Sequence, residues 1–379
     1  MNRTVFVILS NLIFISLLNA QQKINVLVKV IVHCRPNTSQ IYITGNTDNL
    51  GTWNPSAVPM IKSDSTTWEK TLKFPAGEVI EFKITRGSWA NERLNDDETI
   101  SANTVLKVEN DTTITLVINK WADQYKRKVV THGKITGNVE YIRGIKGKGI
   151  LPRDAIIWLP PGYDESKKGR YPVLYMQDGQ NIIDPATSSF GYDWRMDEVT
   201  DSLIKANKIE KIIIVGIYST SDRGLEYGGS KSDAYMKFIV NKLKPLIDRK
   251  YRTKPGRKNT ALAGSSLGGT ISFMLLWNYP DIFSAAACIS PAFHYKEYDC
   301  LKLAEKKVKY KNLKIYIDIG GVGLDTLLQS GVNDMLALLK SKGYKEGINL
   351  DYFRDPAAEH SEQFWAKRDW RILEFFFGK

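Results

Sequence analysis

Two rhythms of apolar and polar residues divide the chain. From residue 22 to about 122, short runs rich in β-branched and aromatic residues recur at 25–32, 40–43, 67–74, 79–85 and 112–118, often in alternation. Turn-forming clusters such as Gly45-Asn-Thr-Asp-Asn49 and Pro75-Ala-Gly77 separate them. Alternation with period two places one face of each strand in a core and the other in water, so this half predicts an all-β sandwich. From about residue 150, continuous apolar runs at 155–159, 173–176, 212–217, 260–263, 285–289 and 315–319 alternate with helical patterns such as 233–248 and 333–342. Strands apolar on both faces, with helices between them, predict a mostly parallel sheet covered on both sides. The join is rich in Lys and Gly. Residues 123–133 read as a linker and 134–143 as an opening strand, which gives domains at 22–122 and 134–379.

Residues 1–20 fit neither rhythm. Arg3 precedes an apolar run over 5–18 that ends in Leu18-Asn-Ala20, the layout of a secretory signal peptide, too short to span a bilayer comfortably. Gln21, rather than a cysteine, argues against a lipid anchor, and no later run is apolar enough for membrane insertion. The expected location is secreted or periplasmic.

Composition then narrows the chemistry. The net charge of +12 comes from Lys and Arg scattered along the chain, with no nucleic-acid-binding module, so no nucleic-acid partner is expected. Three cysteines do not make a disulfide framework. Cys288 lies in an apolar run and reads as core, with a Cys288–Cys300 bridge as the alternative. The four histidines, His33, His132, His294 and His360, lack metal-ligand spacing, so neither metal nor cofactor is expected.

The stretch that carries chemistry is Ala261-Leu-Ala-Gly-Ser-Ser-Leu-Gly-Gly269. It contains Gly264-x-Ser266-x-Gly268, the pattern that turns a strand sharply into a helix and exposes a serine at the bend. Chance produces such a pattern in about one chain in ten of this length, so its flanks decide. A short apolar run precedes it, and a helix-length apolar run stopped by Pro280 follows. A serine nucleophile needs a base, an orienting acid and oxyanion donors. His360, on the last loop, fits the order Ser, acid, His better than His294 does. Asp325, beyond the strand at 315–319, is preferred as acid to Asp318, which lies inside that strand. The Leu267 amide, and that of Gln180 in the loop 177–181, are the candidate oxyanion donors.

In the β-half, Trp53 and Trp89 lie in turns, where indole faces can stack on sugar rings, whereas Trp68 lies mid-strand and reads as core. Ile41-Tyr-Ile-Thr-Gly45, Asn49-Leu-Gly-Thr-Trp-Asn54, Val58-Pro-Met60, Thr67-Trp-Glu69, Pro75-Ala-Gly77 and Ile80-Glu-Phe-Lys83 resemble the starch-binding type of carbohydrate-binding module, family twenty. That resemblance implies a glycan site at Trp53, Lys83 and Trp89. The chain departs from the family pattern after Trp89, at Ala90-Asn-Glu-Arg-Leu-Asn-Asp96.

The second half is similar to the esterase family that includes esterase D, S-formylglutathione hydrolase, siderophore esterases and carbohydrate esterase family one. The matching stretches are Leu151-Pro-Arg-Asp154, Trp158-Leu-Pro-Pro-Gly-Tyr163, Tyr171-Pro-Val-Leu-Tyr-Met-Gln-Asp-Gly-Gln-Asn181, Asp193-Trp-Arg-Met-Asp-Glu198, Lys244-Pro-Leu-Ile-Asp248, Ala263-Gly-Ser-Ser-Leu-Gly-Gly269 and Glu359-His-Ser-Glu362 ahead of Trp365. The resemblance implies an α/β-hydrolase fold and a Ser266–Asp325–His360 triad. The stretch Gly228-Gly-Ser-Lys-Ser232 is shorter than in relatives, so substrate preference does not carry over. The combined expectation is a secreted serine esterase that removes acetyl or feruloyl groups from a polysaccharide or oligosaccharide. The alternatives are a siderophore esterase and a non-catalytic glycan-binding protein. Nothing in the sequence speaks to oligomeric state.

Overall fold

The computed structural model describes residues 23–34, 39–98, 100–124, 134–165, 168–189, 191–295, 298–306 and 313–379. The expected leader at 1–20, most of the linker and His132 lie outside the described residues. The chain divides into two units, one built from residues up to Arg93 and Ala102–Trp121, the other from Leu94–Ser101 and Ala122–Lys379. Residues 94–101 thus group with the second unit rather than with the sandwich in whose sequence they lie. Within this stretch Leu94 bridges Ile100, and the Ser101 hydroxyl donates to Asn95 Oδ1 at 2.9 Å.

The first unit holds strands β1 (Lys23–Val32), β2 (Tyr42–Gly45), β3 (Val58–Pro59), β4 (Ile61–Lys62), β5 (Thr67–Pro75), β6 (Val79–Thr85), β7 (Thr104–Lys107) and β8 (Thr112–Ile118). They pair as two four-stranded sheets, in the orders β4-β5-β1-β8 and β3-β2-β6-β7. Val26, Val28 and Val30 of one sheet and Ile80, Phe82 and Ile84 of the other enter a single core, with Trp68 buried among them. Alternation in the sequence becomes inward and outward faces, as period two requires.

The second unit is an eight-stranded sheet in the order β18-β17-β14-β13-β11-β12-β10-β9. The two strands at the β9 end, β9 (Asn138–Gly147) and β10 (Ile150–Leu159), run antiparallel to their neighbours. The remaining strands, β11 (Val173–Gln177), β12 (Ile213–Ile217), β13 (Thr260–Ser265), β14 (Ala285–Ile289), β17 (Lys314–Gly320) and β18 (Leu350–Asp355), are parallel. A small pair, β15 (His294–Tyr295) and β16 (Tyr298–Asp299), stands apart. Successive residues feed opposite faces: Val173 and Tyr175 join one core, Leu174 and Met176 the other. The helices are α1 (Met196–Lys205), α2 (Arg223–Tyr227), α3 (Ser232–Phe238), α4 (Lys244–Lys250), α5 (Leu267–Asn278), α6 (Cys300–Glu305), α7 (Leu324–Ser341), α8 (Glu362–Ala366) and α9 (Asp369–Phe377). This is the α/β-hydrolase architecture, preceded by an all-β unit.

Several boundaries differ from expectation. The opening strand begins at Asn138 rather than at residue 134. The helix expected over 333–342 begins at Leu324, because Gly323 in the left-handed region starts it. The helix expected over 233–248 passes through a π turn at Ile239–Leu243 before Pro245, whose ring has no N–H to donate. Cys288 and Cys300 are both buried free thiols, so the alternative bridge is not formed.

Asp318 sits mid-strand in β17, fully buried, and Arg368 reaches both of its oxygens at 3.1 and 3.0 Å. Arg368→Ala leaves that carboxylate buried without its cation. A loss of about 3–5 kcal/mol is expected, read as a lowered urea midpoint.

Candidate active site

The parallel register brings the site together. Ser265 pairs with Ile289, and the Ser266 amide donates to the Ile289 carbonyl at 2.8 Å. Ser266 holds φ 55° and ψ −126°, a strained conformation for a residue with a side chain, and caps the start of α5. The turn is tight enough to require glycine nearby. A Cβ added at Gly264 would lie 2.6 Å from the Gly268 carbonyl carbon. The side chain of Ser266 is partly exposed, with Leu267 almost buried behind it. As first residue of α5, Leu267 has an amide with no carbonyl one turn back to accept from it, at the positive end of the helix dipole.

The loop after β11 flanks this turn. Asp178 adopts φ 55°, and its carboxylate takes two bonds from Arg223 of α2, at 2.7 and 2.8 Å. A Cβ added at Gly268 would meet Asp178 Oδ2 at 3.1 Å, which sets this loop against the first turn of α5. Gln180 follows. Its side chain donates to the Ser219 hydroxyl at 2.8 Å and accepts from the Ser219 amide at 3.1 Å, so its backbone is held in place from the β12 side.

Asp325 lies in the first turn of α7, fully buried. One carboxylate oxygen accepts from the Gly320 amide at 2.6 Å and from the Ser290 hydroxyl at 2.7 Å. The other lies 2.6 Å from His360 Nδ1. With Nδ1 donating to that carboxylate, Nε2 is left as the acceptor. Burial pushes the Asp325 carboxyl up, but bonds from His360, Ser290 and Gly320 outweigh it and hold it below its ordinary 3.8. The His360 ring stands edge-on to Trp365 at 5.0 Å, and Trp365 Nε1 donates to Ser290 Oγ at 3.1 Å. Ala358, two residues before His360, accepts from the Gly321 and Val322 amides at 3.1 Å, tying the histidine loop to the end of β17. Among the described residues, no hydrogen bond joins the Ser266 hydroxyl to the imidazole.

Asp325 and His360 therefore meet directly, and Ser290, next to the residue bonded by the Ser266 amide, links them to the serine turn. The rivals stand elsewhere: Asp318 pairs with Arg368, and His294 is half-exposed near Asp299 and Asp334. Sequence reasoning passed over Ser290, Trp365, Asn181 and Glu362. Register offered the one usable signal, since pairing 265 with 289 sets residue 290 beside residue 266. Asn181 donates from Nδ2 to Glu362 Oε1 at 3.1 Å. Burial pushes the Glu362 carboxyl up to about 7.

One acidic group among the described residues, Asp193, Asp197 and Glu198, has ligand atoms within 4.8 Å of one another. Burial pushes Asp193 up to about 6, and burial with a bond from Glu198 pushes Asp197 up to about 8.

In the first unit, Trp53 and Trp89 meet with ring centroids 6.4 Å apart and planes tilted by 38°. Both are partly exposed. Gly51, Thr52 and Trp53 are successive left-handed residues, and a Ser88–Asn91 capping box fixes the turn that carries Trp89. Lys83, expected beside them, is buried, with its ammonium 2.9 Å from Glu92.

A family model described as "Putative esterase" matches residues 152–371. The chain belongs to this esterase family. A second model, described as "Starch binding domain", matches residues 23–117. The endo-1,4-beta-xylanase/feruloyl esterase of Xylanibacter ruminicola is 30% identical over 229 residues, which are 59% of this chain and 29% of that protein. The match thus spans under a third of that relative. A solved ferulic acid esterase superposes on the esterase with TM-score 0.53 at 18% identity, covering 64% of this chain and 98% of the other. The enterobactin esterase FES of Shigella flexneri does so with TM-score 0.53 at 12% identity, covering 90% and 88%. These likenesses show a shared fold. No helix among the described residues is long and apolar enough to cross a membrane.

The lowered Asp325 carboxyl has a consequence in acid. Its stabilisation is complete above about 3.8 and is lost as pH falls through the lower folded value. Between about pH 6 and pH 3, the wild-type urea midpoint should fall further than that of Asp325→Asn, which carries no such titration.

Proposed function

We propose that this esterase is exported and removes acyl groups, acetyl or feruloyl, from a polysaccharide or oligosaccharide by a Ser266–His360–Asp325 mechanism. The observation that carries the reading is the strained serine at the N-terminus of α5, tied through Ser290 to a histidine already paired with a buried aspartate. His360 Nε2 takes the Ser266 proton as Oγ attacks the ester carbonyl. The oxyanion accepts from the Leu267 amide and from the Gln180 amide. The imidazolium, steadied by Asp325, returns its proton to the departing sugar hydroxyl. Water then attacks the acyl-enzyme by the same route and releases the acid. Substrate closes the remaining gap between Ser266 and His360, since catalytic hydrogen bonds tighten only in the complex.

The match of residues 23–117 to a starch-binding domain and the paired indoles at Trp53 and Trp89 support a glycan-bound ester. The feruloyl esterase activity in the name of the Xylanibacter ruminicola relative supports the acyl class. In this reading the first unit raises the local concentration of substrate and leaves the chemistry to the second.

Ser266→Ala should lower kcat/KM on p-nitrophenyl acetate by at least about ten-thousand-fold. An unaffected mutant would sink the mechanism, and an inactive wild type would favour a non-catalytic glycan-binding protein. A screen of acetylated xylan, feruloylated arabinoxylan and a ferric catecholate triester should show turnover of the glycan esters. Turnover of the triester alone would point to a siderophore esterase.

Affinity for insoluble starch should fall about 5- to 150-fold in Trp53→Ala and in Trp89→Ala, at roughly 1–3 kcal/mol per lost aromatic face. Equal retention of wild type and mutants would remove both residues from the site.

A further inference from the structure

The loop at 177–181 is tied down one side chain at a time. Gln177 accepts from the Tyr235 hydroxyl at 2.5 Å, Asp178 pairs with Arg223, and Gln180 grips Ser219. Asn181 alone among them reaches the segment that carries His360, by donating to Glu362. Glu362 is the first residue of α8, two positions beyond His360, and is 7% exposed. The orientation of Asn181 follows from its partners. Its Oδ1 accepts from the Ser189 amide at 2.8 Å, which turns Nδ2 toward Glu362. Its own amide donates to the Asp178 carbonyl at 2.9 Å, and its carbonyl accepts from the Trp194 amide at 2.8 Å. Movement of Asn181 is therefore transmitted to its neighbour Gln180.

We propose that Glu362 is a positioning residue, which registers the Gln180 amide against His360 by accepting the Asn181 side chain. The inference rests on the Ser266–His360 mechanism above and assigns the bridge that holds its base and its second oxyanion donor at a fixed separation. The chemistry of the pair fits the task. Burial raises the Glu362 carboxyl to about 7, with Asp178 adding to the rise and His360 and Arg223 opposing it. A carboxyl oxygen accepts from an amide N–H in either protonation state, so the bridge survives titration. A glutamine at the same position also keeps an acceptor oxygen there.

The bridge acts on the transition state more than on substrate binding, because the oxyanion forms only during attack. Its loss should therefore appear in kcat and spare KM. With p-nitrophenyl acetate and the full-length protein, Glu362→Ala should lower kcat about 10- to 100-fold, with KM within about threefold of wild type. Glu362→Gln should stay within about threefold in both constants. Assayed at about pH 9, above the raised Glu362 carboxyl, Asn181→Asp sets one carboxylate against another and should lose kcat like the alanine variant. Combining it with Glu362→Gln exchanges donor and acceptor across the bridge and should restore kcat to within about threefold. The exchange pair keeps side-chain size, so it decides the matter even if Glu362→Ala does not fold. Failure of the pair to recover kcat, or a wild-type kcat in Asn181→Asp, overturns the inference. Ser266→Ala, run alongside, separates the two failures. If it retains activity, the mechanism falls and the inference falls with it; if it is inactive while Asn181→Asp turns over normally, only the inference is lost.

Discussion

A carboxylate buried without donors is too costly to keep, and Asp325 escapes that cost by drawing three donors from three parts of the esterase unit. Gly320 ends β17, Ser290 follows β14, and His360 arrives from the loop before α8. Each bond offsets part of the desolvation of the charge, and together they keep the group ionised. They also fix where the imidazole stands. Ser290 links this hub to Trp365 and, through its neighbour Ile289, to the backbone of Ser266.

Strain is stored where ligand contact is proposed. Ser266 in the esterase unit and Trp53 in the first unit both hold positive φ without being glycine, at 55° and 58°. Such conformations persist only where the surroundings leave no other choice. At Ser266 the constraint is the packing of Gly264 on Gly268 and the bond to Ile289; at Trp53 it is the bond from its amide to the Gly45 carbonyl at 2.7 Å.

Much of this arrangement was legible in the chain. The strands at 79–85, 112–118 and 285–289 coincide with β6, β8 and β14, because β-branched runs bounded by turn residues leave little room for another element. Strand β18 was not legible, since Leu350–Asp355 mixes charged and aromatic residues at the sheet edge. The start of α7 was missed because its first turn, from Leu324, follows a glycine-rich loop without a capping side chain. Lys83 illustrates a different limit. The family resemblance implies a glycan role for it, and the folded chain sets Glu92 against its ammonium, a pairing that sequence spacing alone does not announce.

By itself, the sequence determined the two units and the serine turn, because periodicity, glycine sterics and short motifs act over a few residues. Tertiary structure decided which acid meets which base. Asp318 and Asp325 are seven positions apart on one strand and the helix after it, but one faces Arg368 and the other His360. That choice depends on how far β17 extends before the chain turns, and on donors that arrive from β14 and the C-terminal loop. Burial, unlike helical or strand preference, is a property of everything packed around a residue, so the charge state of Asp325 and the bridge from Asn181 to Glu362 exist only once the sheet has assembled.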